Sequence, residues 1–325
     1  MIKIGSATIN TNIFLAPLSG CSDLAFRLIA REHGAKFCFF EMVDANALIR
    51  NHEKTIGILK TTDKDAPIAG QLLGADPSLM LDAAQKLVSL VDISFLDINS
   101  ACPVRKVVSK GAGAYLLEKP AALYKTLKKL SSSLKIPVTV KIRLGYHKKE
   151  IKNIVDIAKK CGENGASAVF VHGRTRAQGY AGEVDYEFIR DIKNSLEIPV
   201  LGTGNIFTPE LAKKMFDETG CDGILVARGT FGNPWIFKNI ENYLKNGETL
   251  AEPSLSAKKK VLKKHLSYIE KYRASNSSSR IGFMRKVAMW YLKGFPYAAK
   301  TRDRIARTQD YAELLKLIAG LSLDP

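Results

Sequence analysis

Short runs of β-branched and aromatic residues recur along the chain, separated by stretches whose apolar positions fall at helical spacing. The runs lie at 13–16, 37–40, 68–72, 95–98, 138–142, 168–171, 200–202 and 223–227, spaced by the roughly 25 to 40 residues that a βα unit requires. Helix-like stretches occupy 24–33, 77–90, 121–134, 150–164, 186–195 and 209–218. Pro67, Pro137 and Pro199 stand at strand entries, and Gly34, Gly165 and Gly220 fall where helices should stop, as expected for residues that cannot continue a helix or that tolerate a left-handed cap. Eight strands alternating with helices predict a (β/α)8 TIM barrel. Open doubly wound sheets share this alternation, so closure is argued from the strand ends. Each ends in polar residues, glycine or both: Pro17-Leu18-Ser19-Gly20, Glu41, Gln71, Asn99 with Cys102, Lys141 with Arg143, His172-Gly173-Arg174, Gly202-Thr203-Gly204-Asn205 and Ala227-Arg228-Gly229. One convergent rim accounts for all of them.

Beyond Trp235-Ile236-Phe237 the pattern changes. Residues 238–256 read as a polar connection, and 257–274 as one basic amphipathic helix with Val261, Leu262, His265, Leu266 and Ile269 at helical spacing. A linker at 276–279 is followed by helices at 281–292 and 311–321, with a turn at 293–296. This is a small helical second domain, giving a division into 1–240 and 241–325.

Charge sharpens that division. The net charge is +17, and residues 250–325 hold 16 Lys+Arg against 6 Asp+Glu, or +10, leaving +7 for the rest. Such a field attracts a polyanion such as RNA; a merely solvated basic face is the competing reading. The five cysteines, at 21, 38, 102, 161 and 221, show no C-x-x-C spacing, so neither a disulfide framework nor a zinc site is indicated. With no signal-peptide core and no apolar stretch long enough to span a bilayer, a cytoplasmic protein without membrane insertion is expected.

The candidate chemistry centres on 95–107. There an apolar strand breaks at Pro103, which cannot join a sheet ladder, and presents Cys102 between Asn99 and Lys106. Alone, Cys102 reads as one more small hydrophobe. Its company changes that. Lys141 and Arg143 are two apart on a strand and face the barrel interior if Val138, Val140 and Ile142 face the helices. They call for a bound anion, unless they pair with Asp97 or Glu41. Gly202-x-Gly204 and Arg228-Gly229, after the last two strands, occupy the place where barrels commonly cradle a phosphate. His172, Lys141, Gln71 and Asn99 add donors and positive field. No carboxylate pair or Ser-His-Asp order suggests hydrolysis, and redox chemistry with flavin mononucleotide (FMN) fits better.

The string Asp97-x-Asn99-x-x-Cys102-Pro103-x-x-Lys106-Val107, followed by Gly111-Ala112-Gly113-Ala114, resembles the signature of the tRNA-dihydrouridine synthases. So do Ala16-Pro17-Leu18 with Asp23, Gln71-Leu72-x-Gly74, Val140-Lys141-Ile142-Arg143, His172-Gly173-Arg174-Thr175-Arg176 with Tyr180 and Gly182, and Ala227-Arg228-Gly229 with Gly232-Asn233-Pro234-Trp235. The segment around Arg285-Lys286 and Trp290-Tyr291 is similar to the helical domain of the bacterial B type. The likeness covers nearly the whole chain.

The resemblance implies an FMN enzyme that reduces the C5=C6 bond of uridines in tRNA, in the D-loop, with NADPH (or NADH) as reductant. By likeness Ala16, Pro17, Leu18, Gln71, Lys141, His172, Thr203, Gly204, Asn205, Ala227, Arg228 and Gly229 would hold FMN. Asn99, Lys106, Arg143 and Arg174 would lie beside flavin and target base, Cys102 would protonate C5, and Arg285 and Lys286 would touch tRNA. A monomer needing no protein partner is expected. Three positions depart from the family pattern: Ala101 for glycine, Thr203-Gly204-Asn205 for Asn-Gly-Asp, and Val287 for a frequent histidine. The rival readings are a dihydroorotate dehydrogenase-like flavoprotein acting on a free pyrimidine, which leaves the basic tail unexplained, and a non-catalytic tRNA-binding protein.

Overall fold

The computed structural model describes residues 1–273, 277–296 and 298–321. Its strands are β1 (Ile2–Ile4), β2 (Ala7–Ile9), β3 (Ile13–Leu15), β4 (Cys38–Phe39), β5 (Val43–Asp44), β6 (Ile68–Leu73), β7 (Leu96–Asn99), β8 (Val138–Arg143), β9 (Ala166–His172), β10 (Val200–Thr203) and β11 (Gly223–Val226). From β3 onward every pairing is parallel, in the order β4-β3-β11-β10-β9-β8-β7-β6-β5, and β4 also pairs with β6 to close the ring. Cys38 and Phe39 lie beside Ile68 and Ala69, and Val43 and Asp44 beside Leu72 and Leu73. β4 and β5 thus share one interrupted strand position, leaving eight. The predicted TIM barrel is what forms.

Side-chain alternation sorts each strand into two layers. Val138, Val140 and Ile142 join the large apolar cluster between sheet and helices, which turns Thr139, Lys141 and Arg143 inward. Inside, Phe14, Phe37, Phe39, Phe95 and Phe170 form a second cluster with Leu201 and Leu225. Phe37 and Phe95 stack at 5.4 Å, and Phe95 and Phe170 at 6.1 Å. Each such ring contributes roughly 1.5 to 3 kcal/mol by burial, so the barrel has a stiff floor. Ile2, Ile4 and Ile9 of the antiparallel β1-β2 hairpin belong to the same cluster. The hairpin stops the amino-terminal end, and the polar rim at the carboxyl end is left as the entrance.

Local chemistry explains the helix limits. Asp76 and Thr208 cap helices that have Pro77 and Pro209 in the first turn, where proline lacks only a donor the helix does not use. Gly220 ends its helix in the left-handed region. Two expectations are corrected. The polar connection read from 238 begins as a helix, Ile236–Asn246, because Ile236, Phe237 and Ile240 bury one face against the barrel. The linker read at 276–279 is mostly helix, since Ser277 to Ser279 open Ser277–Tyr291; Asn276 and Ala274 lie outside the described residues.

The tail forms the helices Leu255–Tyr272, Ser277–Tyr291, Ala298–Arg307 and Tyr311–Ala319. They enclose their own apolar cluster, including Leu262, Leu266, Met284, Val287, Ile305 and Leu314. Val287, one of the departures, is fully buried there. The cluster meets the barrel through Ala25, and Trp290 stacks on Phe231 at 4.3 Å. Arg273 to Asp23 at 2.8 Å and Lys264 to Glu32 at 2.7 Å pin the rim of this contact.

One buried group gives the tail cluster an acid weakness. His265 accepts or donates only at Nδ1, 3.1 Å from the Tyr291 hydroxyl, and its Nε2 has no partner among the described residues. Burial pulls its pKa down from 6.5 to about 3. Between these values the unfolded chain binds a proton that the folded one refuses, so stability is full above about pH 6.5 and falls as pH drops toward 3. Thermal melts should show the midpoint decreasing across that window. In His265→Phe the decrease should be shallower; an equally steep fall would mean that other groups carry it.

Candidate active site

A cleft of about 540 Å³ opens at the carboxyl ends of the barrel strands. Its walls bring together Ala16, Pro17, Leu18, Gln71, Asn99, Cys102, Lys141, Arg143, His172, Thr203, Gly204, Asn205, Ala227, Arg228 and Gly229, all singled out from sequence. A larger hollow, about 770 Å³, lies where barrel and tail helices meet. It is lined by mixed charges such as Asp23, Glu53, Lys54 and Arg273 and, of the strand-end groups, includes Glu41 but none of Gln71, Asn99, Cys102, Lys141, Arg143, His172 and Arg228. The smaller cleft is therefore the candidate site.

The cysteine loop is held from several directions. Asn99 Oδ1 accepts from the backbone N–H of Ala101 at 3.0 Å and of Cys102 at 2.8 Å. The Ala114 N–H donates to the Cys102 carbonyl at 3.1 Å. Gly113, at φ +60°, lets the backbone come this close: a Cβ there would stand 2.8 Å from the Cys102 carbonyl oxygen. Arg143 Nε donates to the Ala101 carbonyl at 2.7 Å, and Nη1 to the carbonyls of Thr175 and Gly179 at 2.9 and 3.0 Å. Ala101, the first departure, tucks its methyl into this buried loop without opening it.

Cys102 is the one cysteine that is not buried. Burial of its sulfur nonetheless pushes the thiol pKa up, outweighing the Val104 N–H and the nearby Arg143 and Lys141, which pull it down. The thiol is protonated at neutral pH.

Around it stand Lys141, Arg143, His172 and Arg228. Among the described residues no carboxylate forms an ion pair with Lys141 or Arg143, so the alternative pairing with Asp97 or Glu41 is not made. Asp97 instead accepts from Gln71 Nε2 at 2.8 Å and the Thr139 hydroxyl at 2.7 Å, and Glu41 accepts from the Gly20 N–H. Burial, then Arg143, lowers Lys141 to about 7. Burial raises Asp97 to about 7. Desolvation, then Lys141, Arg143, Arg174 and Arg228, holds His172 well below the usual imidazole range. His172 is neutral there, and a bound anion would relieve the whole group.

Arg228 is placed as a phosphate contact should be, but is occupied in an unforeseen way. Its guanidinium lies 4.2 Å from the Tyr180 ring centroid and 5.4 Å from that of Phe207, and donates to Asn205 Oδ1 at 3.3 Å. Asn205 thus keeps an acceptor where the family pattern has a carboxylate. Thr203, the remaining departure, donates to the Leu225 carbonyl at 2.9 Å. Beneath Arg228, a Cβ on Gly229 would run into the Ile206 carbonyl, so only glycine fits. Val104, Tyr180 and Phe207 leave large apolar surfaces exposed at the mouth, a lip suited to a flat ring. Of these, Val104 and Phe207 were not foreseen, nor were Met42 and Phe231 in the wall. The only advance signal was an aromatic within a loop following Gly204.

Four predicted residues lie off the cleft wall. Lys106 is exposed on the short helix Arg105–Val108. Arg174 is buried behind the rim, donating from Nη2 to the Gly182 carbonyl at 2.6 Å, while its Nη1 has no partner among the described residues. Arg285 donates to the carbonyls of Ala306 and Thr308 at 2.9 and 3.2 Å, and exposed Lys286 to the Gly20 carbonyl at 2.6 Å. Neither pairs with Asp303 or Asp310.

A family model described as dihydrouridine synthase matches residues 14–321. The tRNA-dihydrouridine synthase B of Pseudomonas aeruginosa is 37% identical over 310 residues, covering 95% of this chain and 92% of its own. A probable tRNA-dihydrouridine synthase 1 of Synechocystis is 36% identical, covering 96% and 86%. Among solved structures, the old yellow enzyme of Trypanosoma cruzi superposes with a TM-score of 0.58 at 12% identity, covering 79% of this chain and 94% of that one, a likeness of fold. With the cysteine loop and cationic cleft in place, and a match running through both barrel and tail helices, the chain belongs to the dihydrouridine synthase family.

Proposed function

We propose that the protein is an FMN-dependent tRNA-dihydrouridine synthase. The observation that carries this reading is the pairing of a protonated Cys102 thiol with a cationic cleft that holds no carboxylate counter-charge. The residues fit FMN. Lys141, His172 and Arg228 with the backbone around Gly204 and Asn205 would hold its phosphate and polar edges. When bound, FMN would take two electrons from NADPH and deliver a hydride to C6 of uridine.

The chain's own groups supply the rest. The lip of Val104, Tyr180 and Phe207 receives a flipped-out base, which must leave its stack to reach a barrel mouth. Asn99 and Arg143 hold the cysteine loop still, and Cys102 gives the proton that C5 requires, as a general acid does. Titrating the purified protein with FMN should show binding at one site per chain. Colourless protein that takes up no FMN would rule the reading out.

The basic tail would bind the tRNA backbone. The helix Ile236–Asn246 packs on the barrel, which supports taking the connection at 247–254 as the join between catalytic and RNA-binding parts. The helix Ala298–Arg307 carries exposed Lys300, Arg302 and Arg304, better placed for phosphates than the internally bonded Arg285. Affinity for tRNA should fall steeply with salt, because phosphate contacts release counterions. Replacing Lys300, Arg302 and Arg304 together by glutamate should weaken binding about tenfold or more at moderate salt and flatten its salt slope. Filter binding with unchanged affinity and slope would place the RNA elsewhere. The D-loop as target, and a monomeric state, belong to this same reading.

A further inference from the structure

We propose that Asp97 is a positioning residue: its carboxylate sets the direction of a hydrogen-bond chain that passes through Gln71 and Asn99 and fixes the backbone of Ala101 and Cys102. The register of the barrel builds the chain. Gln71 pairs with Asp97, and Asp97 with Thr139, across adjacent strands, so the three inward side chains form one row, with Gln71 in the cleft wall and Asp97 and Thr139 outside it. Asn99 stands two residues further along, on the same face and nearer the mouth.

The two ends of the chain have fixed polarity. A backbone N–H can only donate, so the atom of Asn99 that faces Ala101 and Cys102 must be its oxygen. Above its pKa of about 7 the Asp97 carboxylate can only accept, and there the atom of Gln71 that faces it must be its nitrogen. Between them are two amides, either of which could be turned around in isolation. Only one arrangement satisfies both ends: Gln71 Nε2 to Asp97, Asn99 Nδ2 to Gln71 Oε1 at 2.8 Å, and Asn99 Oδ1 toward the loop. The Thr139 hydroxyl donates to the other carboxylate oxygen and keeps Asp97 in place. If both amides turned, Asn99 would present an NH2 group to two N–H donors, and the loop would lose its anchor.

Asp97 itself is fully buried and is not part of the cleft wall. Its action on Cys102 is through two intermediaries, and its importance for proton delivery rests on the proposed role of that thiol. The anchoring can be tested without reference to the reaction. Amide hydrogen exchange of the full chain, read by mass spectrometry on a peptide covering 100–104, would compare wild type with Asp97→Leu and Asp97→Asn. A strand peptide covering 200–203 would report on the barrel as a whole.

Asp97→Leu removes the acceptor and should speed exchange at 100–104 by about tenfold, the scale of one lost hydrogen bond. Asp97→Asn keeps an oxygen for Gln71 and should restore near wild-type protection. Gln71→Met breaks the chain one link further on and should match Asp97→Leu, which covers the case in which the leucine variant does not fold. The proposal is overturned if Asp97→Leu or Gln71→Met leaves the loop protected, if Asp97→Asn is no better than leucine, or if 200–203 loosens equally.

Discussion

Replacing Cys102 by alanine is expected to lower tRNA-dependent reoxidation of the reduced flavin by roughly two or more orders of magnitude, the range for losing a general acid. FMN binding and NADPH oxidation by the free enzyme should stay nearly intact, because neither step needs that proton. The structure strengthens the expectation. Burial holds the thiol protonated, and the loop around it is fixed by Asn99, Arg143 and Gly113 independently of the sulfur, so the substitution deletes the acid without moving its support. Rapid-mixing absorbance under anaerobic conditions reads the step. A wild-type rate in the alanine variant would mean that the acid lies elsewhere.

Lys141→Ala should weaken FMN binding by about ten- to a hundredfold, as expected for one charge-assisted hydrogen bond of roughly 1.5 to 3 kcal/mol. Lys141 is inward on β8, beside Cys102 and Arg143, and no carboxylate among the described residues forms an ion pair with it. Its loss would remove attraction for an anionic ligand, while Asp97 keeps its hydrogen bonds from Gln71 and Thr139. Lys106→Ala is the control. Because Lys106 is exposed outside the cleft wall, flavin fluorescence titration should give an unchanged affinity. Equal weakening by both substitutions would contradict the assignment of the cleft.

What could be foreseen followed from periodicity and from chemistry that must face one way. The inward turn of Lys141 and Arg143 was readable because Val138, Val140 and Ile142 needed the helix-facing layer. The helix stop at Gly220 is a local backbone effect, legible from a single residue, whereas β7 ends at Asn99, four residues before Pro103. The β1-β2 hairpin was not legible, since its isoleucines gain meaning only as the plug of a closed barrel. Ala298–Arg307 buries little besides Ile305 and presents mostly charge, so no apolar stripe announces it. Its place comes from tertiary contact with the tail cluster.

The site divides in the same way. Groups within one motif were found together, as Asn99 and Cys102 were. Contacts between distant loops were not: Arg228 between Tyr180 and Phe207, or Arg285 on the carbonyls of Ala306 and Thr308. An arginine in a sequence displays its charge and hides its hydrogen-bond partners. The same holds for Asp97, which reads as a possible partner of Lys141 and in the fold bonds Gln71 and Thr139.

The central claim is that this cleft reduces a uridine in tRNA with electrons held on FMN. The most direct measurement is a single turnover: FMN-loaded protein reduced by NADPH without oxygen, mixed with unmodified tRNA, with flavin absorbance and nucleoside mass spectrometry followed together. The account predicts that oxidised flavin returns in step with one dihydrouridine formed per flavin. Flavin that stays reduced in the presence of tRNA, or reoxidises while every uridine remains intact, would contradict it.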